Sequence, residues 1–167
     1  MGGSRAFTRK REFLVCVDTD GACLAPSGES AAFSGAAQAL AELSAVADVV
    51  VWGEEGAAVL RAAWNQWHLP QPRGAMSTAA MGKAAALGKL LLCGYQPAHV
   101  LVLGATQDAL AAAETSAVLY YPILAGRQAT SWQRLLEEAI PKFLHGSFAG
   151  DYQKQLIAAQ QSLLRGQ

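Results

Sequence analysis

Five short apolar runs, each followed by a helix-like stretch, constrain this chain more than any other feature. Residues 12–18 (EFLVCVD), 48–52 (DVVVW), 74–76 (GAM), 99–103 (HVLVL) and 117–121 (AVLYY) read as strands. Runs without apolar–polar alternation suit strands covered on both faces, as in a parallel sheet. Helices are expected over residues 31–46, from Glu54 or Glu55 to near Trp67, over 80–92 and over 106–114. Two more are expected at 131–144 and 151–164. Phe33, Ala36, Ala37, Leu40 and Leu43 fall on one face of the first. Glu54 and Glu55 suit the positive end of a helix dipole, while Pro70, Pro72 and Gly94 interrupt the chain.

Strand–helix alternation of this kind predicts an α/β fold: a doubly wound (Rossmann-like), mostly parallel five-stranded sheet with helices on both faces. The 167 residues suffice for one domain, and 52% of them are hydrophobic, enough for a core. Residues 12–167 are read as that single domain, including the C-terminal helices, behind an N-terminal arm of residues 1–11. Charged residues make up 16% and the formal net charge is zero. The one basic run, Arg9-Lys10-Arg11, reads as a solvated part of the arm. No nucleic-acid partner is expected from such a balance, and no membrane segment, since no apolar run approaches the roughly 20 residues that span a bilayer. The start has no apolar signal-peptide core. Cys16, Cys23 and Cys93 are odd in number and lack metal-ligand spacing, so they are expected to be reduced thiols in a cytoplasmic protein.

Ligands of doubly wound sheets bind beyond the carboxyl ends of the strands, where strand order reverses. The first strand ends there in Asp18-Thr19-Asp20-Gly21, and the fourth in Gly104-Ala105-Thr106-Gln107-Asp108. Asp18 and Asp20 are two residues apart and can face one site. A carboxylate pair can bind a hard cation through oxygen or divide labour as nucleophile and general acid/base. It can also cap its own Asp-Gly turn. The residues alone leave all three open.

An apolar strand running into DxDG is similar to the first motif of the haloacid dehalogenase-like (HAD) phosphohydrolases. The stretches MGKAAALGKLLLCGYQPAHVLVLGATQDALAAA and VLYYPILAG, and the tail SWQRLLEEAIPKFLHGSFAGDYQKQLI, resemble a bacterial subfamily of that family across nearly the whole chain. The resemblance implies Mg²⁺-dependent phosphate-ester hydrolysis through an aspartyl-phosphate. Asp18 would be the nucleophile and Asp20 the acid/base. Lys83, rather than Lys89 on another helical face, would neutralise charge on Asp18 and the phosphoryl group. Asp18, Asp20 and Asp108 would hold the Mg²⁺, and Gly21, Gly53 and Gly104 would line the phosphorylated substrate.

Three departures qualify that expectation. The strand-two hydroxyl of the family is replaced by Trp52-Gly53, followed by the repelling pair Glu54-Glu55. The aspartate directly after the strand-four glycine is replaced by Ala105, leaving Asp108 displaced along the chain and equally suited to starting a helix. The subfamily's cap domain is absent, since only residues 22–30 link DTDG to the first helix. A capless site suits a bulky substrate, or is covered by a second copy of the chain or a protein partner. A second reading is therefore a catalytically degenerate HAD-like domain that binds a ligand or a protein. The chain has no Walker A loop, GxGxxG or GxSxG motif. His68, His99 and His145 share no ligand spacing. Tyr120-Tyr121-Pro122 at the end of strand five is a candidate crevice lining.

Overall fold

The computed structural model of the protein describes residues 7–21, 23–25 and 31–166. Most of the linker expected at residues 22–30, and residues 1–6 of the expected arm, lie outside them. The strands are β1 (Phe13–Asp18), β2 (Ala47–Gly53), β3 (Gly74–Ser77), β4 (Val100–Gly104) and β5 (Leu119–Pro122). All pair in parallel, in the order β3-β2-β1-β4-β5. The sheet is thus wholly parallel, and strand order reverses between β1 and β4. Among the described residues between β1 and the first helix there is no helix or strand.

Strand periodicity sorts the core into two layers. Val15, Val17, Val49, Val51, Leu101 and Leu103 face one side, under α1 (Ala36–Val46), α2 (Ala57–Gln66) and the helical run of residues 128–145. Leu14, Cys16, Val50, Trp52, Val100 and Val102 face the other, under α3 (Lys83–Leu91) and α4 (Gln107–Thr115). Helices therefore cover both faces, as expected for apolar strands of this kind.

Helix starts differ most from expectation. α1 begins at Ala36, not Ala31, because Gly35 adopts φ +90°, a conformation that costs little only for glycine. Phe33 is held outside the helix by its N–H bond to Leu24 O at 2.7 Å. α2 begins after Gly56, so Glu54 and Glu55 stay in the loop. α3 begins at Lys83, which puts that residue at the crevice end of its helix. The helix expected at 131–144 is α5 (Gln128–Arg134), a π turn (Leu135–Ala139) and α6 (Ile140–His145) in one continuous run. Pro141 explains the π turn: it has no N–H, and its ring crowds the preceding turn. The helix widens ahead of it, and Ile140 N–H reaches Leu135 O.

The last helix, α7 (Asp151–Arg165), covers the β5 edge. Its Gln153 side chain accepts the Tyr120 N–H at 2.8 Å, satisfying an edge donor. At the opposite end of the sheet from the crevice, Asp48 is fully buried. Its Oδ2 accepts Lys10 N–H at 2.8 Å, Arg11 N–H at 2.9 Å and the Tyr95 hydroxyl at 2.5 Å. Arg73 Nε lies 3.4 Å from Oδ1. Residues 7–11 are consequently docked by their backbone, although the side chains of Arg9, Lys10 and Arg11 are exposed.

Candidate active site

Asp18 ends β1 beside the point where strand order reverses. Its carboxylate is wholly buried. Oδ1 accepts the Asp20 N–H at 3.0 Å, which fixes the turn and leaves Oδ2 facing Lys83. Lys83 reaches over from the start of α3, 65 residues away, and its Nζ donates to Asp18 Oδ2 at 2.7 Å. The same Nζ lies 2.9 Å from Asp20 Oδ2 and 3.1 Å from Asp108 Oδ2. The expected trio of Asp18, Asp20 and Lys83 therefore meets at one point. Lys89 is exposed, as its helical phase requires.

Asp108 joins the cluster although Ala105 breaks the expected pattern. Thr106 is the N-cap of α4 and places Asp108 in its first turn. The Thr106 hydroxyl donates to Asp108 Oδ1 at 2.5 Å and lies 3.4 Å from Lys83 Nζ. Asp108 is thus both a helix-start residue and a partner of the lysine. Thr106 itself was not singled out in the sequence, where its only signal was its position one residue after Ala105.

Burial dominates the electrostatics of Asp18 and pushes its carboxyl up to about 6, against the pull of the Lys83 bond. For Lys83 burial works the other way, favouring the neutral amine. The Asp18 contact outweighs it, helped by Asp20 and Asp108, and holds the ammonium above the ordinary lysine range. Burial also opposes ionisation of Asp108, but the Thr106 hydrogen bond and Lys83 hold its carboxyl below its ordinary value.

Folding thus raises Asp18 from 3.8 to about 6. A group raised in this way contributes stability that is complete below its unfolded pKa and is lost as pH rises through the folded one. Asp18→Asn, which removes the titrating carboxyl, is expected to lack the loss of stability that the wild type shows as pH rises from about 4 through about 6. Thermal melts of both proteins across this range check it, and a difference that does not change with pH would refute the assigned cause.

The three glycines expected to line the substrate have packing roles. A Cβ on Gly53 would overlap Thr19 Oγ1 and lie 3.2 Å from Leu60 Cδ2. Thr19 fills this space because Asp18 pairs with Trp52 across β1 and β2, and its hydroxyl donates to Trp52 O at 3.2 Å. That volume is why β2 ends here without a side chain. A Cβ on Gly104 would lie 2.7 Å from Ala109 Cβ, and one on Gly21 2.7 Å from Thr106 Cγ2. Trp52 packs in the core beside Asp18, with its buried Nε1 lacking a partner among the described residues. Tyr120 and Tyr121 do not line the crevice. Their hydroxyls are buried and donate to Gln160 Oε1 at 2.7 Å and Ser131 O at 2.6 Å.

Hard carboxylate oxygens are the donors Mg²⁺ takes. Here they converge on an ammonium, and among the described residues no group of three or more His, Cys, Asp or Glu side chains is placed to hold a metal ion. The donor chemistry suits Mg²⁺; the arrangement does not fit it. Likewise, no helix among the described residues is long and apolar enough to cross a membrane.

No family model and no curated protein matches the chain. Among solved structures, it is similar to the NMR structure of the core domain of a "putative phosphoglycolate phosphatase" from Streptococcus pneumoniae TIGR4. The two share 14% sequence identity and a TM-score of 0.47, over 70% of this chain and 82% of that one. The likeness concerns the fold at most.

Proposed function

We propose that the crevice between β1 and β4 is a phosphate-ester site of the haloacid dehalogenase-like type. The observation that carries this reading is Lys83 Nζ at 2.7 Å from Asp18 and 2.9 Å from Asp20, across 65 residues of chain. In this reading an Asp18 oxygen attacks phosphorus while the ester P–O bond breaks. Asp20, whose side chain is 28% exposed, gives a proton to the leaving oxygen. It then takes one from the water that hydrolyses the aspartyl-phosphate. Lys83 compensates the negative charge gathered at Asp18 and the phosphoryl oxygens. A crevice without a cap suits a bulky ester.

The test is hydrolysis of an aryl phosphate by the wild type, Asp18→Asn and Lys83→Met, with and without Mg²⁺. Both variants are expected to lose about 10³-fold or more in turnover. Equal rates in wild type and Asp18→Asn would reject the reading. A second reading, a non-catalytic ligand-binding domain, is favoured by Gly53 and Ala105, which leave two strand ends without functional side chains. Phosphate or vanadate binding by a wild type that shows no turnover would select it.

A further inference from the structure

Three carboxylates and one ammonium occupy the crevice, three negative charges against one positive. Each carboxylate presents its Oδ2 to Lys83 Nζ, at 2.7, 2.9 and 3.1 Å. An ammonium has three N–H groups and no acceptor; this one donates to Asp18 Oδ2 and to the Thr106 hydroxyl, with Asp20 and Asp108 at ion-pair distance. The surroundings keep it there. Asp18 is buried and tied to the Asp20 N–H, Asp108 is oriented by Thr106, and the Lys83 side chain is only 7% exposed.

We propose that Lys83 is the resident cation of this crevice. Its ammonium takes the place a divalent ion would need, and Asp18, Asp20 and Asp108 become a divalent-cation site only when that ammonium is removed. A divalent ion within about 4 Å of the ammonium is repelled by it, and the ammonium already fills the space among the three Oδ2 atoms. Ala105 leaves the end of β4 without a carboxylate, and Asp108, in the first turn of α4, supplies the third one beside the lysine. The proposal concerns cation binding and does not rest on the phosphohydrolase reading.

The experiment titrates MnCl₂ and MgCl₂ into the wild type, Lys83→Met, Lys83→Gln and Lys83→Arg. Bound Mn²⁺ is read by its electron paramagnetic resonance signal, and Mg²⁺ by the shift in Tm. The wild type and Lys83→Arg are expected to leave Mn²⁺ free and to show no Mg²⁺-dependent shift. Lys83→Met and Lys83→Gln are expected to bind one Mn²⁺ and to gain at least about 3 °C in Tm at millimolar Mg²⁺. The two neutral variants differ in polarity, so one that fails to fold leaves the other as the readout. Stoichiometric Mn²⁺ binding by the wild type overturns the proposal. So does the absence of Mn²⁺ binding from every neutral variant that folds. None of these outcomes depends on turnover.

Discussion

Replacing Asp48 by alanine is expected to destabilise the protein by about 3–5 kcal/mol, the range for removing one partner from a buried charged network. The total stability of a domain is only about 5–15 kcal/mol. Asp48 is fully buried, and its Oδ2 alone accepts from Lys10 N–H, Arg11 N–H and the Tyr95 hydroxyl. Truncation leaves these donors without their acceptor and removes the ion-pair partner of the Arg73 guanidinium, which lies 3.4 Å from Oδ1. Asp48→Asn keeps one carbonyl acceptor for the three donors but loses the charge and sets an amide NH2 facing Arg73, so it should cost less than the alanine without being neutral. Urea unfolding of the three proteins gives the ranking. The same change should release residues 7–11. Native-state trypsin should then cut after Arg9, Lys10 or Arg11 in Asp48→Ala much faster than in the wild type. Equal cleavage rates would show that Asp48 does not dock the arm.

Gly104→Ala is expected to cost about 3 kcal/mol, at the upper end for overpacking. The added Cβ would lie 2.7 Å from Ala109 Cβ, 3.3 Å from Tyr120 Cε1 and 3.4 Å from the Tyr120 hydroxyl. Ala109 has no rotamer that relieves the contact, so α4 must move away from β4. That motion pulls on Gly104 O, which accepts Ile123 N–H at 2.8 Å. It also shifts Thr106 and Asp108 at the start of α4. Gly53→Ala is the contrast, because the nearest atom there is the movable Thr19 hydroxyl. It should cost about 1 kcal/mol, and less still in a Thr19→Ala background. Chemical denaturation of the wild type, the three single variants and the Gly53→Ala/Thr19→Ala double variant tests both statements. A Gly104→Ala protein as stable as wild type would mean that β4 and α4 are not this closely packed.

The central strands were legible because burial on both faces demands nearly continuous apolar residues, here Val and Leu in β1, β2 and β4. β1 to β4 lie within two residues of their expected positions. β5 starts two residues late because Ala117 turns at φ +56°. Helix starts were less legible, since acidic and alanine-rich stretches such as Glu54-Glu55 and Ala79-Ala80 carry helix signals of their own. The glycines after them set the boundaries instead. Asp48 looked like the polar border of a strand. Nothing local distinguishes it, because its partners Lys10, Arg11, Arg73 and Tyr95 are between 25 and 47 residues away.

At the crevice, pairing Asp18 with Lys83 required the family resemblance. Helical phase then separated Lys83 from Lys89. Gly53 ends β2 without a side chain for a reason invisible in sequence, the volume of Thr19 in the neighbouring strand. The convergence of Asp108 on Lys83 depends on the N-cap at Thr106 and on α3 beginning at Lys83, two details finer than strand and helix patterning.

In the proposed reaction Asp18 accepts a phosphoryl group. Acid quenching of the protein during turnover of an aryl or acyl phosphate, followed by peptide mass spectrometry, detects that group. A phosphoryl group is expected on the peptide containing Asp18, abolished in Asp18→Asn and diminished in Lys83→Met. Phosphate release with no label on Asp18, or a label that persists in Asp18→Asn, would contradict it.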